Sequence, residues 1–344
     1  MRANPSMRKK SWIVPGGAIL VIFFLFVLSL NLGAVRLSMQ EIGQALVGNG
    51  NPRAHMVIYE LRLPRMILAL MIGACLSVAG TIMQAVTRND IADAGILGIT
   101  SGAGFGIVML ISLTSEDTQA LDTIRQWGTD SVAASTAAAF AGGAIASLLI
   151  YALAWKRGIA PSRLLLVGVA VNAVLGAAIV VVQLLMDKGD FTRAAIWLSG
   201  SIWSANWSTV LTLLPWIVLL LPVVYFKARI LNLLTLGDEL ALSAGLPVER
   251  ERRQLLLIAA GLTGAAVAAG GGIAFVGLLA PHISRKLVGS RHQLLLPVSA
   301  LIGALLLQLS DIAGKHLLAP SEIPVGLVVA IIGAPYFIFL LLRK

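Results

Sequence analysis

Residues 227–253, KARILNLLTLGDELALSAGLPVERERR, place nine charged side chains in 27 positions, between two long apolar blocks. Hydrocarbon excludes charge at that density, so the segment must sit in water on one face of a membrane. Leu236, Leu240 and Leu246 alternate in it with the small residues Gly237, Ala241 and Gly245. Asp238-Glu239-Leu240-Ala241-Leu242-Ser243-Ala244 reads as a short helix. Asp238 and Glu239 fall in its first turn, where the helix dipole favours acids, and Gly245 is placed to end it. Pro247 starts a second segment that runs into Glu249-Arg250-Glu251-Arg252-Arg253. The chemistry this pattern offers is docking, by a compact helical knob facing the cytoplasm. A solvated loop with no partner is the alternative that the segment alone leaves open.

Catalytic patterns are missing elsewhere. The chain has no G-x-x-x-x-G-K-[ST] loop, no H-E-x-x-H and no G-x-S-x-G, and its histidines (55, 282, 292 and 316) do not cluster in sequence. The one cysteine, Cys75, lies in an apolar run, so an intrachain disulfide is impossible and a packing role is expected. A metal site is not expected either. Without an energy source of its own, the chain is an ion-coupled secondary transporter or the membrane part of an ATP-driven machine. The charged knob favours the second.

The elements that position the knob follow from composition. Hydrophobic residues make up 58% and charged residues 12%, with a mean hydropathy of +0.90, against about 25% charged residues in soluble domains. This is an all-α, polytopic membrane protein. The net charge of +10 belongs to cytoplasmic loops rather than to a nucleic-acid surface. Ten spans are expected, near 13–35, 66–86, 94–113, 131–154, 164–186, 208–226, 252–270, 273–289, 294–313 and 323–342, in a single transmembrane domain with 227–253 inside. The seventh and eighth are separated because Gln254–Ser284 carries no acid, Lys or Arg over 31 residues. As one helix it would extend about 46 Å, too long for about 30 Å of hydrocarbon, and Gly270-Gly271-Gly272 breaks it. With both termini inside, 18 of the 26 Lys and Arg fall on the inner side, as positive-inside orientation requires. The outer linker 36–65 holds a short helix capped by Ser38, with Glu41 three residues on.

Gly98 and Gly102 sit at four-residue spacing in the third span, and Gly73, Gly80, Gly261, Gly264 and Gly277 add to a density that implies closely packed helices. Asn172 and Gln183 either line a pathway or bridge helices. His282 follows Ala280-Pro281 and reads as a hydrogen-bonded structural residue. Asp311, near the outer end of the ninth span, is a functional candidate by depth, with an interfacial ion pair or helix packing as the plainer roles. Arg62, Arg65 and Lys315 are cations on the side where few are expected.

Five blocks, in order over roughly residues 60–342, resemble the FecCD-type ABC permeases, importers of iron–siderophores, haem and vitamin B12. They are RLPRMILALMIGACLSVAGTIMQAVTRNDIADAGILGITSGAG, AIWLSGSIW, LGDELALSAGLP, GGGIAFVGLLAPHISRKLVGSRHQLLLPVSALIGALLLQLSD and EIPVGLVVAIIGAPYFIFLLL. The family's Asn-Pro-Leu-Ala-Asp-Pro appears as Asn89-Asp90-Ile91-Ala92-Asp93-Ala94, without either proline, and a basic position that is commonly Arg is Lys315.

The resemblance implies a multi-pass permease subunit in a bacterial cytoplasmic membrane, with two inverted-topology halves, spans two to five and seven to ten. It would bind no cofactor and pair with a second permease subunit, identical or not. Two cytoplasmic ATPase subunits would bind the ATP and Mg, and a substrate-binding protein would dock outside. Leu236, Gly237, Asp238, Glu239, Ala241, Gly245, Leu246 and Pro247 would couple to the ATPases, and Arg62, Arg65 and Lys315 would receive acidic residues of the binding protein at a hydrated outer surface, contact with lipid phosphates being the plainer alternative. Packing or pathway candidates are Gly80, Gln84, Asn89, Asp93, Gly98, Gly102, Asn172, Gly271, Pro281, His282, Asp311, Pro324 and Gly326.

Overall fold

The computed structural model describes residues 5–31, 37–48, 51–114, 132–156, 160–318 and 321–342. The acidic outer stretch from Glu116 to Asp130, and Arg2, Arg157, Arg343 and Lys344, lie outside those residues.

The described chain is helical almost throughout. Helix α1 (Pro5–Asn31) leads to two short outer helices, α2 (Met39–Leu46) and α3 (Pro52–Met56), then to a π-helical stretch, Val57–Arg62, that runs directly into α4 (Leu63–Thr87). Ser38 and Glu41 form a reciprocal capping box at the start of α2. The backbone N–H of Ser38 donates to the Glu41 carboxylate at 2.7 Å and holds its pKa below the ordinary value. Then come α5 (Ile99–Thr114), α6 (Val132–Ala154), α7 (Pro161–Leu184), the short α8 (Lys188–Leu198) and α9 (Trp207–Phe226). The cytoplasmic segment holds α10 (Ala228–Thr235) and α11 (Asp238–Ser243). The chain closes with α12 (Val248–Gly270), α13 (Val276–Val288), α14 (His292–His316) and α15 (Val325–Leu342). Among the described residues, seven helices are long and apolar enough to cross a membrane by themselves, and α5 and α15 are shorter apolar helices.

Two expected spans begin later than the sequence suggested. Residues 94–113 open with a 3₁₀ turn, Ala94–Leu97, and α5 starts only after Gly98. Residues 273–289 open with non-helical backbone, and α13 starts only after Phe275. Gly98 and Phe275 both have left-handed φ, 72° and 67°, so the helix cannot extend back through either. Gly98 adopts that conformation without penalty. Phe275 bears a steric cost of roughly 1–2 kcal/mol and sits where Gly333 has no side chain to obstruct it.

Helix α4 is the centre. Of its apolar window 78% is buried, against 17% for α7 and 22% for α9. It packs against α14, α12 and α13. Lipid gives helices no hydrophobic reason to associate, so contact must come from close approach. Gly73 lies on the backbone of Gly303, and Gly80 on that of Gly277, with no room for a Cβ at either. Gly102 meets Gly142 and Ala146 on α6, and Gly106 meets the Ala138 carbonyl.

The contacts also pair off. Helix α4 against α14 has its counterpart in α12 against α6. The contact of α5 with α6 is matched by α13 with α14, and α4 with α13 by α12 with α5. Exchanging α4–α7 for α12–α15 reproduces the packing, and the offset of five spans makes the halves inverted. Both are one all-α membrane unit.

Replacing Gly80 or Gly102 with Leu should cost at least about 1–3 kcal/mol, the ordinary cost of overpacking a filled core. The measured result should be loss of monodisperse protein in detergent. Gly176→Leu is the control, because nothing lies within 4 Å of where that side chain would begin.

Candidate functional site

The knob is built by local rules and fixed by distant charges. Helix α11 ends in a Schellman motif: Gly245 takes φ 80° and donates to the Leu242 carbonyl at 2.8 Å, and Leu246 N–H donates to the Ala241 carbonyl at 3.0 Å. Gly237 enters the helix at φ 115°, a region that favours glycine. Ala241 is fully buried and Leu246 packs against the core, while Leu236, Leu240, Leu242, Glu239 and Pro247 are exposed. Asp238 accepts from Arg252 at 2.7 Å and from Arg88, at the end of α4, at 3.1 Å. Arg252 is nearly inaccessible and also donates to Glu249 at 2.7 Å. Lys227 holds Glu251 and Gln254 at 2.5 and 2.6 Å. The coupling candidates therefore divide: Asp238, Ala241 and Leu246 anchor the knob, and Leu236, Glu239 and Pro247 face out with Leu240 and Leu242.

Beside the knob, Asn232 donates to Gln293 at 2.9 Å and accepts from the His292 backbone at 3.0 Å. A cleft of about 370 Å³ opens there, lined by Asn232, Arg291, Gln293 and Leu294. Arg285 reaches from α13 to Asp90 at 3.0 Å and to the buried Gln84 of α4. These bonds join residues 84–90, 227–254 and 285–293, the segments that the charge bias puts inside.

Two irregular joints re-enter the helix bundle. In the first, Asn89 caps the turn to Ile91 at 3.1 Å, and the Asp93 carboxylate accepts the Ala94 N–H at 2.7 Å. Asp93 lies against Gly277, which in turn touches Gly80, seven residues inside the end of α4 and so about 10 Å deep. Asn172 of α7 donates to the Gly95 carbonyl at 3.1 Å, and Gly98 packs on Ile150 and Ala146. The second joint, residues 271–275, carries Gly271 against the Trp197 carbonyl and Gly272 against the Leu198 carbonyl. Gly326 N–H donates to the Gly200 carbonyl at 3.0 Å, and its Cα face meets Ser199 and Gly272. Pro324 supplies the carbonyl for the first turn of α15. Pro281 is buried inside α13, and the His282 ring stands edge-on to Tyr336 at 5.9 Å.

At the outer end the structure alters what was expected of the cations. Arg62, Arg65 and Lys315 were to be hydrated and open to a partner. Arg62 is instead buried and donates to the Leu30 carbonyl at the end of α1. Arg65 and Lys315 are each only 12% exposed and converge on Asp311, which is fully buried, at 2.8 and 2.5 Å. Glu322 takes the other side of Arg65 at 2.8 Å. The reason is geometric: the outer end of α4 abuts the ends of α1 and α14, so its cations meet protein groups first. Asp311 is thus the hub of an interhelical ion cluster. Sequence reasoning missed Arg88, Arg252, Arg285 and Glu322; the i, i+4 spacing of Asp311 and Lys315 and the i, i+3 spacing of Glu249 and Arg252 were the readable signals.

Removing charge from Asp238 should loosen the knob selectively. Because Asp238 is about a third exposed, Asp238→Asn should cost roughly 1 kcal/mol, giving several-fold faster tryptic cleavage at Arg250 with the membrane core intact. Unchanged cleavage would reject its anchoring role.

The model of the FecCD transport family matches residues 20–343. The iron(3+)-hydroxamate import system permease protein FhuG of Bacillus subtilis is 48% identical over 334 residues, covering 97% of this chain and 98% of that one. The hemin transport system permease protein HmuU of Yersinia pestis is 38% identical, covering 95% of each. A solved inward-facing structure of a metal-chelate type ABC transporter superposes with a TM-score of 0.84 at 29% identity, covering 96% of this chain and 99% of that one.

Proposed function

Because this chain belongs to the FecCD transport family, we propose that it is the permease subunit of a binding-protein-dependent ABC importer for an iron–siderophore or a related metal chelate. It is a multi-pass protein of the bacterial cytoplasmic membrane and a transport component. In this reading it binds no ATP itself and forms half of a homo- or heterodimeric pore. Two ATPase subunits sit beneath the paired knobs, and a substrate-binding protein delivers the chelate from outside. The iron(3+)-hydroxamate relative, similar over nearly its whole length, supports a ferric chelate as cargo.

The observation that carries the reading is the knob. Leu236, Leu240 and Leu242 are each about 60% exposed on the water-facing side, the last two on a short helix that is closed at its C-terminal end by the Gly245 turn and pinned by Arg88 and Arg252, and Leu236 just before it. Exposed leucines on a rigid, charge-anchored element make a protein contact surface. The pins would also carry force inward. Asp238 connects the knob to the end of α4 through Arg88 and to α12 through Arg252. Closure of the ATPases on ATP would move both central helices, one from each half, and so change which side of the pore is open. Asp311, which depth marked as a candidate for an ion-coupled mechanism, is instead balanced by Arg65 and Lys315.

The test is uptake of ⁵⁵Fe supplied as ferric hydroxamate, ferric citrate or haem, by cells with and without the gene. At least one chelate should be imported only with it. Leu240→Glu with Leu242→Glu should leave the protein in the membrane and reduce both ATPase co-purification and uptake about tenfold, the effect of losing 1.4 kcal/mol at a contact. Co-purification and uptake at wild-type levels would place the ATPase contact elsewhere.

A further inference from the structure

The outer ion cluster contains four charges that balance, Arg65 and Lys315 against Asp311 and Glu322. A surface meant to receive acidic side chains therefore presents no unpaired cation at Arg65. For an incoming carboxylate to engage it, one of the resident carboxylates must leave.

The two residents differ sharply. Asp311 has no exposed side-chain area, and it gives one oxygen to Arg65 and the other to Lys315 one helical turn away. Withdrawing it would strip the largely buried Lys315 of its carboxylate and leave Arg65 with Glu322 alone, which is strongly disfavoured. Glu322 is 32% exposed, touches Arg65 through a single guanidinium nitrogen at 2.8 Å, and lies in non-helical backbone before α15. Partly hydrated single contacts of this kind are weak enough to exchange. A carboxylate from outside would replace like with like and leave the cluster neutral.

The residues just after Glu322 give the exchange somewhere to lead. Ile323 N–H donates to the Gly314 carbonyl at 3.0 Å, and Gly326 N–H to the Gly200 carbonyl at 3.0 Å. Gly326 also rests on Ser199 and on the Gly272 carbonyl. The 321–326 segment thus lies between the outer cluster and the irregular 271–275 joint that precedes α13. Its side-chain tie to the outer cluster is the Glu322–Arg65 contact.

We propose that Glu322 is an internal occupant of the Arg65 carboxylate site, displaced when an acidic side chain of the extracytoplasmic binding protein docks, and that its release loosens the 321–326 segment against the 271–275 joint. Asp311 is then the positioning residue that keeps Arg65 aimed outward during the exchange. This rests on the importer reading for the identity of the partner. The latch itself is a property of the permease alone.

The test has one arm that needs no partner. In lipid nanodiscs, amide hydrogen exchange at Ile323 and Gly326 should be about tenfold faster in Glu322→Gln than in the wild type. Exchange at Gly80 should not change. Unchanged exchange at Ile323 and Gly326 would overturn the latch. If Glu322→Gln yields too little protein, Glu322→Asp keeps the charge but shortens the reach, and the same acceleration is expected to a smaller degree.

The second arm is ⁵⁵Fe–hydroxamate uptake by cells carrying each allele. Arg65→Ala should lower uptake at limiting binding protein, whereas Glu322→Gln should raise it or leave it undiminished. Equal loss in both variants would make Glu322 an ordinary structural partner and refute displacement. Absence of import of any ferric chelate by wild-type cells would refute the importer reading instead, and the exchange measurement would still decide the latch.

Discussion

The backbone contact between α4 and its neighbours sets the terms for everything else. Gly73 against Gly303 and Gly80 against Gly277 bring helices to a distance at which no Cβ fits. In lipid, that closeness supplies the attraction that water would supply to a soluble core. Thr81 adds a hydrogen bond to Ser299 at 3.0 Å in the same seam. A helix so enclosed cannot change its own packing gradually, because dense interfaces move between discrete arrangements rather than deforming. It therefore moves only as a rigid body, and the joints at 88–98 and 271–275 and the segments tied to its two ends take up the change.

Charge is distributed to match. At the inner end, Arg88 and Arg285 connect α4 and its following loop to the knob and to α13. At the outer end, Arg65 connects α4 to α14 and to the approach to α15. Arg88–Asp238, Arg285–Asp90 and Arg65–Glu322 are modest in energy because one member is partly hydrated, whereas Arg65–Asp311 is buried. Their value is in direction: forces applied by partners on either face arrive at the same central helix. The two ends differ in one respect. The inner pins attach an element that protrudes, and the outer cluster is nearly flush and self-neutralised.

Much of this was legible in the sequence. Hydropathy and charge bias gave an all-α polytopic chain, because hydrocarbon penalises both uncovered charge and unpaired backbone so heavily that few alternatives remain. The knob's anatomy was legible because caps and dipoles act within a turn or two. Other features were hidden for a physical reason. Asp238 finds Arg88 across 150 positions and Arg65 finds Asp311 across 246, and no local pattern encodes such meetings. Arg62 looked like an outer cation because its position relative to the end of α1 cannot be read from either segment alone. The late starts of α5 and α13 were concealed by apolar sequence, which fits a strained joint buried in protein as well as it fits a helix. The glycine at 98 was read as part of a helical face, when its left-handed φ makes it the residue before the helix begins.

The burial of α4 has a consequence for how the protein is made. Gly73 is synthesised about 230 residues before Gly303, its closest counterpart. At translation rates of about 5–20 residues per second, the glycine face of α4 waits roughly 10–50 s for α14 to emerge. During that interval the helix is apolar enough to remain in the bilayer, but its most intimate surface is covered only by lipid or by a provisional neighbour. The second half of the chain thus acts as the finishing partner for the first. Truncation anywhere before α14 would leave an inserted, orphaned helix, the kind of species on which membrane quality control acts.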